Sequence, residues 1–369
     1  MKFSVENNDL NKALSVVSKA ISYKTSLPIL ECVYICTNEN SIILKGTDTE
    51  ISVITTIPAN IYIKGEVVIP IKSLLDLIRT YPDDIIHFDM DEHFVINIKC
   101  SKSDVSMIGK DATQFPEIKK YDLDKFINVK TDLIRDLIKD TVFACSPGVS
   151  INPVLTGVNI ELKKDSITFT ALDGFKMANR KEVINNTAYE DTSAIIHGRI
   201  LSEVLKILST YDNDANIAFS DKKMIIDLQD TQIIANQLEG VYIKYETLLP
   251  KEINTVIKIN KDDLLTCVSR ASLLTDDSRN SLVKFSIEDD ILILSSRSER
   301  GKVKEEISVY KNGEDINIAF NARYFVEVLK IISDEKVLIE FKDNSTAGII
   351  KPVDSNKFLY LVMPVRYID

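Results

Sequence analysis

The chain has 369 residues, of which 45% are apolar and 27% charged, with a formal net charge of −10. That size suits two or three domains with real cores, and no run reaches the roughly 18 apolar residues of a membrane-spanning helix. The acid excess argues against a protein that grips nucleic acid by bulk charge alone.

Cys32, Cys36, Cys100, Cys145 and Cys267 are odd in number and scattered, which fits a reducing cytoplasm better than a disulfide framework. Cys32 and Cys36 have no second pair at zinc-site spacing, so no metal is expected. The opening Met1 to Asn8 turns polar at once, and no secretory leader is expected.

In chain order, one pattern occurs three times with a period of about 125 residues. Residues 3–21 read as a short strand entering an amphipathic helix, with Leu10, Ala13, Leu14 and Val17 on one face. Residues 41–57 alternate as an antiparallel hairpin, residues 67–90 read strand, turn, helix, strand, and residues 93–100 add a strand. Copy two repeats this in 126–142, 166–183, 194–220 and 222–238. Aligned on Leu133, its first helix has its stripe broken by Asp136 and Asp140. Copy three repeats it in 256–274, 291–309, 316–341 and 355–365, with Leu264, Cys267, Val268 and Ala271 sharing a face. Asn8, Thr131 and Asp262 are the expected N-caps, since their side-chain oxygens can accept an orphan N–H.

Each copy thus amounts to about two helices and eight short strands, with sheets extending around each domain to cover a buried face. The fold class is α+β: three repeated domains over residues 1–124, 125–252 and 253–369, each with two helices packed on antiparallel sheets.

The second helix of each copy carries a matched basic pair: Lys72 and Arg79, Arg199 and Lys206, Arg323 and Lys330. The i, i+7 spacing puts each pair on one helix face. A solvated face explains any single pair; three at equivalent positions also suit a shared surface. If all six helices share it, Lys12, Lys19, Arg135, Lys139 and Arg270 join these six in a basic lane for phosphates. Screening beyond about 8 Å would hide distant carboxylates from DNA in that lane. Such contacts carry no sequence information.

Catalysis is not expected. Glycine is scarce, at 11 residues, and neither a P-loop nor a strand-linked G-x-G-x-x-G occurs. His87, His93 and His197 pair with no nucleophile, and Asp48 and Glu50 read as hairpin-turn residues. No cofactor is implied. An acidic, repeat-built interaction scaffold that never touches DNA would explain the repeat and the acidity, but not the matched pairs.

Phe3, Leu27-Pro28-Ile29-Leu30, Gly46-Thr47-Asp48-Thr49-Glu50, Phe115-Pro116, Ala171-Leu172-Asp173-Gly174 and Tyr360-Leu361-Val362-Met363-Pro364-Val365-Arg366 stand in the order and spacing of a known family. Over its whole length the chain resembles bacterial sliding clamps, the β subunits of DNA polymerase III. The resemblance implies a cytoplasmic, non-catalytic processivity factor. Two copies would join head to tail, each forming half of a closed ring, with helices lining the hole around duplex DNA of any sequence. It implies an interface in which Val105 and Met107, on a domain-one edge strand, meet Leu273 and Leu274 of a second copy. It implies rim contacts to DNA from Lys24 and the loop 146–152, Asn152 included.

The resemblance also implies a pocket between domains two and three for peptide motifs of the DNA polymerase III α subunit, the clamp loader δ subunit and other clamp-binding proteins. The matching positions are Leu155, Thr156, Leu172, Gly174, Phe175, Lys176, Met177, Ile243, Leu248, Ala347, Leu361, Met363, Pro364, Val365 and Arg366. Apolar walls would bury peptide anchors while a few polar groups orient the backbone. The chain departs from the family at several places. Phe175-Lys176-Met177 stands where many members have His-Arg-Leu, and a common proline is missing at Ile243. Glu246 and Thr247 replace arginines, and Tyr367-Ile368-Asp369 extends the end.

Overall fold

In every copy a strand runs directly into a helix, with no loop between them. Among the described residues the six α-helices are α1 (Asn7–Val17), α2 (Ile71–Ile78), α3 (Thr131–Lys139), α4 (Gly198–Leu208), α5 (Lys261–Leu273) and α6 (Ala322–Leu329). The computed structural model describes residues 1–22, 25–148, 152–220, 222–273, 275, 281–299 and 301–367.

The direct strand-to-helix passage moves the helix starts earlier than the sequence suggests. Asn8 lies inside α1, after Glu6 at the cap position. Thr131 is the first residue of α3, and its hydroxyl donates to the Tyr211 carbonyl at 3.1 Å. Ahead of α5 the capping side chain is Asn260, whose Oδ1 accepts from the N–H groups of Asp262 and Asp263 at 2.9 and 3.1 Å. The three expected caps are therefore corrected.

The same shift repairs copy two. Counted from the helix starts, Leu10, Ala13, Leu14 and Val17 correspond to Ile134, Leu137, Ile138 and Thr141, and to Leu264, Cys267, Val268 and Ala271. All twelve are buried. The stripe begins at Ile134, one residue after the expected Leu133, and Asp136 falls on the exposed side. Burying one leucine-sized side chain contributes about 1.5–3 kcal/mol, so these stripes are a main anchor of each copy.

The contacts divide the chain into two compact units, 1–135 with 187–189 and 199–237, and 136–186 with 190–198 and 238–369. The first unit contains two antiparallel sheets. One runs Asn60–Ile63, Lys2–Glu6, Ile85–Met90, Val95–Cys100, Ser103–Ile108 in spatial order. The other runs Ile127–Lys130, Asp214–Ser220, Lys223–Leu228, Thr231–Asn236, Ile51–Pro58, Ser41–Thr47, Cys32–Thr37, Glu66–Pro70. In the second unit a nine-stranded sheet runs Thr192–His197, Gly157–Leu162, Ser166–Leu172, Lys176–Val183, Phe358–Val362, Gly348–Pro352, Lys336–Phe341, Thr255–Asn260, Tyr310–Gly313. A four-stranded sheet runs Gly301–Ser308, Ile291–Ser298, Leu282–Glu288, Ile316–Asn321.

Two of these sheets cross from one copy into the next. Thr231–Asn236 pairs with Ile51–Pro58 in the first unit, with Ile233 opposite Val53. Lys176–Val183 pairs with Phe358–Val362 in the second, with Met177 opposite Leu361. An edge strand leaves its N–H and C=O groups unpaired, and joining two edges satisfies both rows. Among the described residues the first and third copies have nine strands rather than eight, adding Asn60–Ile63 and Tyr310–Gly313; residues 184–191 of the middle copy form no strand.

The stretch between copies one and two packs onto the seam. Ala112, Phe115 and Ile118 are buried with Cys32, Ile54, Val68, Ala218, Ile225 and Ile234. Tyr121 exchanges backbone hydrogen bonds with the Gln232 amide at 2.7 and 2.9 Å. Among the described residues no helix is long and apolar enough to cross a membrane.

Candidate functional site

In the second unit, an apolar patch covers the seam where Met177 faces Leu361. Leu172, Met177, Ala347 and Leu361 form its buried floor, and Leu155, Tyr242, Tyr245, Leu249 and Leu359 pack on them. Phe175, 61% exposed, and Met363, 40% exposed, rise beside it, with Ile243 and Leu248 also exposed. Large apolar side chains left in water around a buried apolar floor are what a docking surface presents.

The rim is held by specific hydrogen bonds. Asp173 accepts from the N–H groups of Phe175 and Lys176, both at 2.9 Å, closing a turn in which Gly174 takes a φ of +93°. That left-handed conformation favours glycine. The Met363 N–H donates to the Phe175 carbonyl at 2.8 Å, and the Val365 N–H to the Ala319 carbonyl at 2.8 Å. The first bond holds the segment after Phe358–Val362 against the turn, and the second ties it to the strand Ile316–Asn321. The Tyr242 hydroxyl accepts from the Leu172 N–H at 3.1 Å and donates to the Gly157 carbonyl at 3.2 Å. Burial pushes the Tyr242 hydroxyl pKa well up, keeping it neutral and able to donate.

The structure gathers Leu155, Leu172, Met177, Ala347 and Leu361 into one cluster. Pro364 and Val365 are half-buried and Arg366 exposed, on the segment bonded to the turn. Thr156 is buried, its hydroxyl donating to the Pro153 carbonyl at 2.7 Å. Lys176 goes the other way. Its Nζ donates to the Phe143 carbonyl at 3.1 Å and to the Glu327 carboxylate, and sits 5.2 Å from the Tyr324 ring centroid. Successive side chains on a strand point to opposite faces, so Lys176 cannot share the patch with Met177. Sequence reading missed Tyr242, Leu249 and Leu359 as patch members and left out Tyr245. The signal was available: Tyr242, Tyr245, Leu248 and Leu249 stand close together in the linker between copies two and three.

The matched basic residues are all exposed, with Arg79 and Lys330 at the C-caps of α2 and α6. Their surroundings differ. Arg199 donates to Asp48 at 2.7 Å and also binds Glu50, and Lys206 pairs with Glu203 at 2.7 Å. Arg270 forms a forked pair with Glu305 at 2.8 and 2.7 Å. Arg135 is half-buried and donates to the Leu208 and Tyr211 carbonyls at 2.9 and 3.0 Å, where the end of α4 carries partial negative charge. Lys12 sits 4.8 Å from the Tyr211 ring centroid. Lys19 is half-buried, and Lys139 and Arg323 are exposed. Lys72, Arg79 and Lys330 pair with no carboxylate among the described residues.

Asn152 accepts from the Val154 N–H at 3.4 Å at the start of a short helical turn. Lys24, Leu274 and residues 149–151 of the loop 146–152 lie outside the described residues.

Val105 and Met107 sit on Ser103–Ile108, which is an edge strand as expected. They face the buried Ile98 and Ile96 across the ladder and are themselves half-buried, so they continue a core face to an open edge. Leu273, at the end of α5, is 73% exposed.

Three sequence models of the DNA polymerase III β subunit match the chain in order: the N-terminal domain over residues 1–119, the central domain over 128–244 and the C-terminal domain over 246–366. The β sliding clamp of Staphylococcus epidermidis RP62A is 32% identical, covering 99% of both chains, and that of Staphylococcus aureus Mu50 is 31% identical at the same coverage. Among solved structures, the DNA polymerase sliding clamp of Bacillus subtilis superposes with a TM-score of 0.95 at 27% identity, and a DNA polymerase III β subunit from Eubacterium rectale with 0.94 at 28%, each covering 100% of both chains.

Proposed function

The chain belongs to the DNA polymerase III β-subunit family, and from that membership we infer that it acts as a replicative sliding clamp, a processivity factor with no catalytic role of its own. Two copies join head to tail in the cytoplasm into a closed ring around duplex DNA, each supplying three clamp domains. The observation that carries this is the match of all three domains, in order, along the full chain.

Three surfaces divide the work. The seam patch, with Leu172, Met177, Leu361, Phe175 and Met363 at its centre, takes peptides from the polymerase α subunit, the clamp loader δ subunit and other clamp-binding proteins. Apolar anchors bury on the floor while the rim orients the backbone. The exposed helix faces, led by Lys72, Arg79 and Lys330, meet the phosphate backbone without reading sequence. Val105 and Met107 on the open edge meet the α5 end, Leu273 included, of a second copy, covering a half-buried apolar face.

Retention then comes from topology, and an acidic protein needs little direct affinity for DNA. The test is to load the protein onto nicked circular DNA with its clamp loader and ATP, then cut the circle once. Release on cutting is expected. Retention after cutting would mean direct binding and would remove the ring from the mechanism.

A further inference from the structure

The short turn Tyr245–Leu248 has two faces. Tyr245 packs into the apolar patch, while Lys244 and Glu246 line a groove of about 500 Å³ on the other side. Glu161, Lys163, Asp191 and Ser193 are among its other lining residues. The groove therefore continues the proposed docking surface through one shared turn. Glu161 and Glu246 both act on the Tyr245 hydroxyl, whose pKa is pushed up by burial and then by these two carboxylates.

The wall that holds Ser193 is a sheet edge, open at Ser193 and bonded to Leu238 at Ile195. Thr192–His197 is the outermost strand of the nine-stranded sheet. The Ile195 carbonyl accepts from the Leu238 N–H at 2.8 Å, so it points away from the neighbouring strand. Alternate residues of a strand direct their N–H and C=O groups to the same side. The Ser193 N–H and C=O thus also point outward, and no partner for them occurs among the described residues. Glu161, Asp191, Glu246, Lys163 and Lys244 form no ion pair among the described residues, although Glu161 accepts a hydrogen bond from the Asn159 side-chain amide at 3.1 Å. Three carboxylates against two ammonium groups leave the groove net acidic.

We propose that this groove receives a basic, extended continuation of the peptide docked on the apolar patch, pairing its backbone with Ser193 and a lysine or arginine with Glu246 and Asp191. The proposal rests on the docking reading above. Adding a strand to an open edge supplies backbone hydrogen bonds, and a cation between unpaired carboxylates supplies the selectivity. An acidic continuation would meet net repulsion.

The test uses the full chain and fluorescein-labelled synthetic peptides with two leucines and a phenylalanine as anchors. They carry no extension, Arg-Lys-Arg or Glu-Asp-Glu, at either end. Anisotropy titrations at about 50 and about 300 mM salt separate charge from apolar contact. The basic extension is expected to tighten binding about five-fold at low salt, with the gain shrinking at high salt. Glu246→Arg should remove that gain and leave the unextended peptide unchanged, and Ser193→Pro, which deletes the outward N–H, should reduce it. If the unextended peptide binds and the basic extension adds nothing, the groove proposal is overturned and the docking reading stands. If no peptide binds, both fall.

Discussion

Arg199 donates to Asp48 at 2.7 Å across 151 residues of chain, and its second nitrogen reaches Glu50. The second residue of α4 thereby grips the hairpin turn of the first copy. Asp48 is also committed to that turn, accepting from the N–H groups of Glu50 and Ile51 at 3.0 Å. A charge read as DNA-facing is therefore a bond between repeats. The Arg199 side chain is 45% exposed, so solvent weakens the pair, and Arg199→Glu should cost about 1–2 kcal/mol through like-charge repulsion, with Arg199→Gln costing less. Urea unfolding of both variants checks the order. Equal stability would leave the pair without a role in holding the repeats together. Slower DNA loading by a destabilised Arg199→Glu would reflect the broken bond between repeats rather than a phosphate site.

Lys72, Arg79 and Lys330 are the better probes of the helix faces, because no carboxylate among the described residues holds them. The triple change to glutamate should leave the melting temperature near that of the parent, since exposed substitutions usually stay within about 0.5 kcal/mol each. Loading onto DNA should slow, and its salt dependence should flatten by roughly 0.9 in the log–log slope for each phosphate no longer neutralised. A full-speed variant with an unchanged slope would exclude these residues from DNA binding.

On the seam patch, Phe175→Ala with Met363→Ala should weaken partner-peptide binding about tenfold or more, because exposed anchors at a docking site carry much of its energy. Stability should barely move. Lys176→Ala should do the reverse. Its ammonium is buried against Glu327 and the Phe143 carbonyl, so its loss should cost about 1–3 kcal/mol while peptide affinity stays close to normal. Calorimetric titration beside thermal melts distinguishes the two; peptide binding abolished in Lys176→Ala without destabilisation would put that side chain back at the site.

Val105→Asp or Met107→Asp should give a folded monomer, since each places a charge on the half-buried face at the open edge. Leu273→Asp should act in the same way. Sedimentation velocity reads the outcome directly, and an intact dimer in all three would move the interface elsewhere.

Asp140 predicts a pH dependence. Burial lifts its carboxyl from an ordinary 3.8 to about 6, against the opposing pull of Arg180. A carboxyl with a raised folded-state pKa stabilises the fold while protonated. That contribution is complete below about pH 4 and is lost as pH rises through about 6, on the order of 3 kcal/mol at most. Asp140→Asn should therefore be more stable than the parent at about pH 8 and lose this component of the slope. Parallel pH profiles for the two proteins would show that Asp140 ionises freely.

Much of the architecture was legible in the residues. The threefold repeat, the strand-to-helix openings and the exposed basic pairs follow from periodicity, because 3.6-residue and two-residue alternation are local properties of the chain. The alignment of copy two slipped by one residue at Leu133 because Asp136 and Asp140 obscured the stripe that starts at Ile134. The caps were placed late because no loop marks the passage from strand to helix. The apolar floor was found through the resemblance, but its linker tyrosines, Tyr242 and Tyr245, were not.

The order of residues is enough to set which stretches are helix or strand, which face of each is apolar, and that the unit occurs three times. Tertiary structure decided what each segment meets. Thr231–Asn236 pairs with Ile51–Pro58, Lys176 turns from the patch to Glu327, and Arg199 spends its charge on Asp48. Nothing local encodes such pairings. They arise when open sheet edges and buried charges find partners far along the chain, because leaving a backbone edge or a buried ammonium unpaired costs more than any local preference supplies.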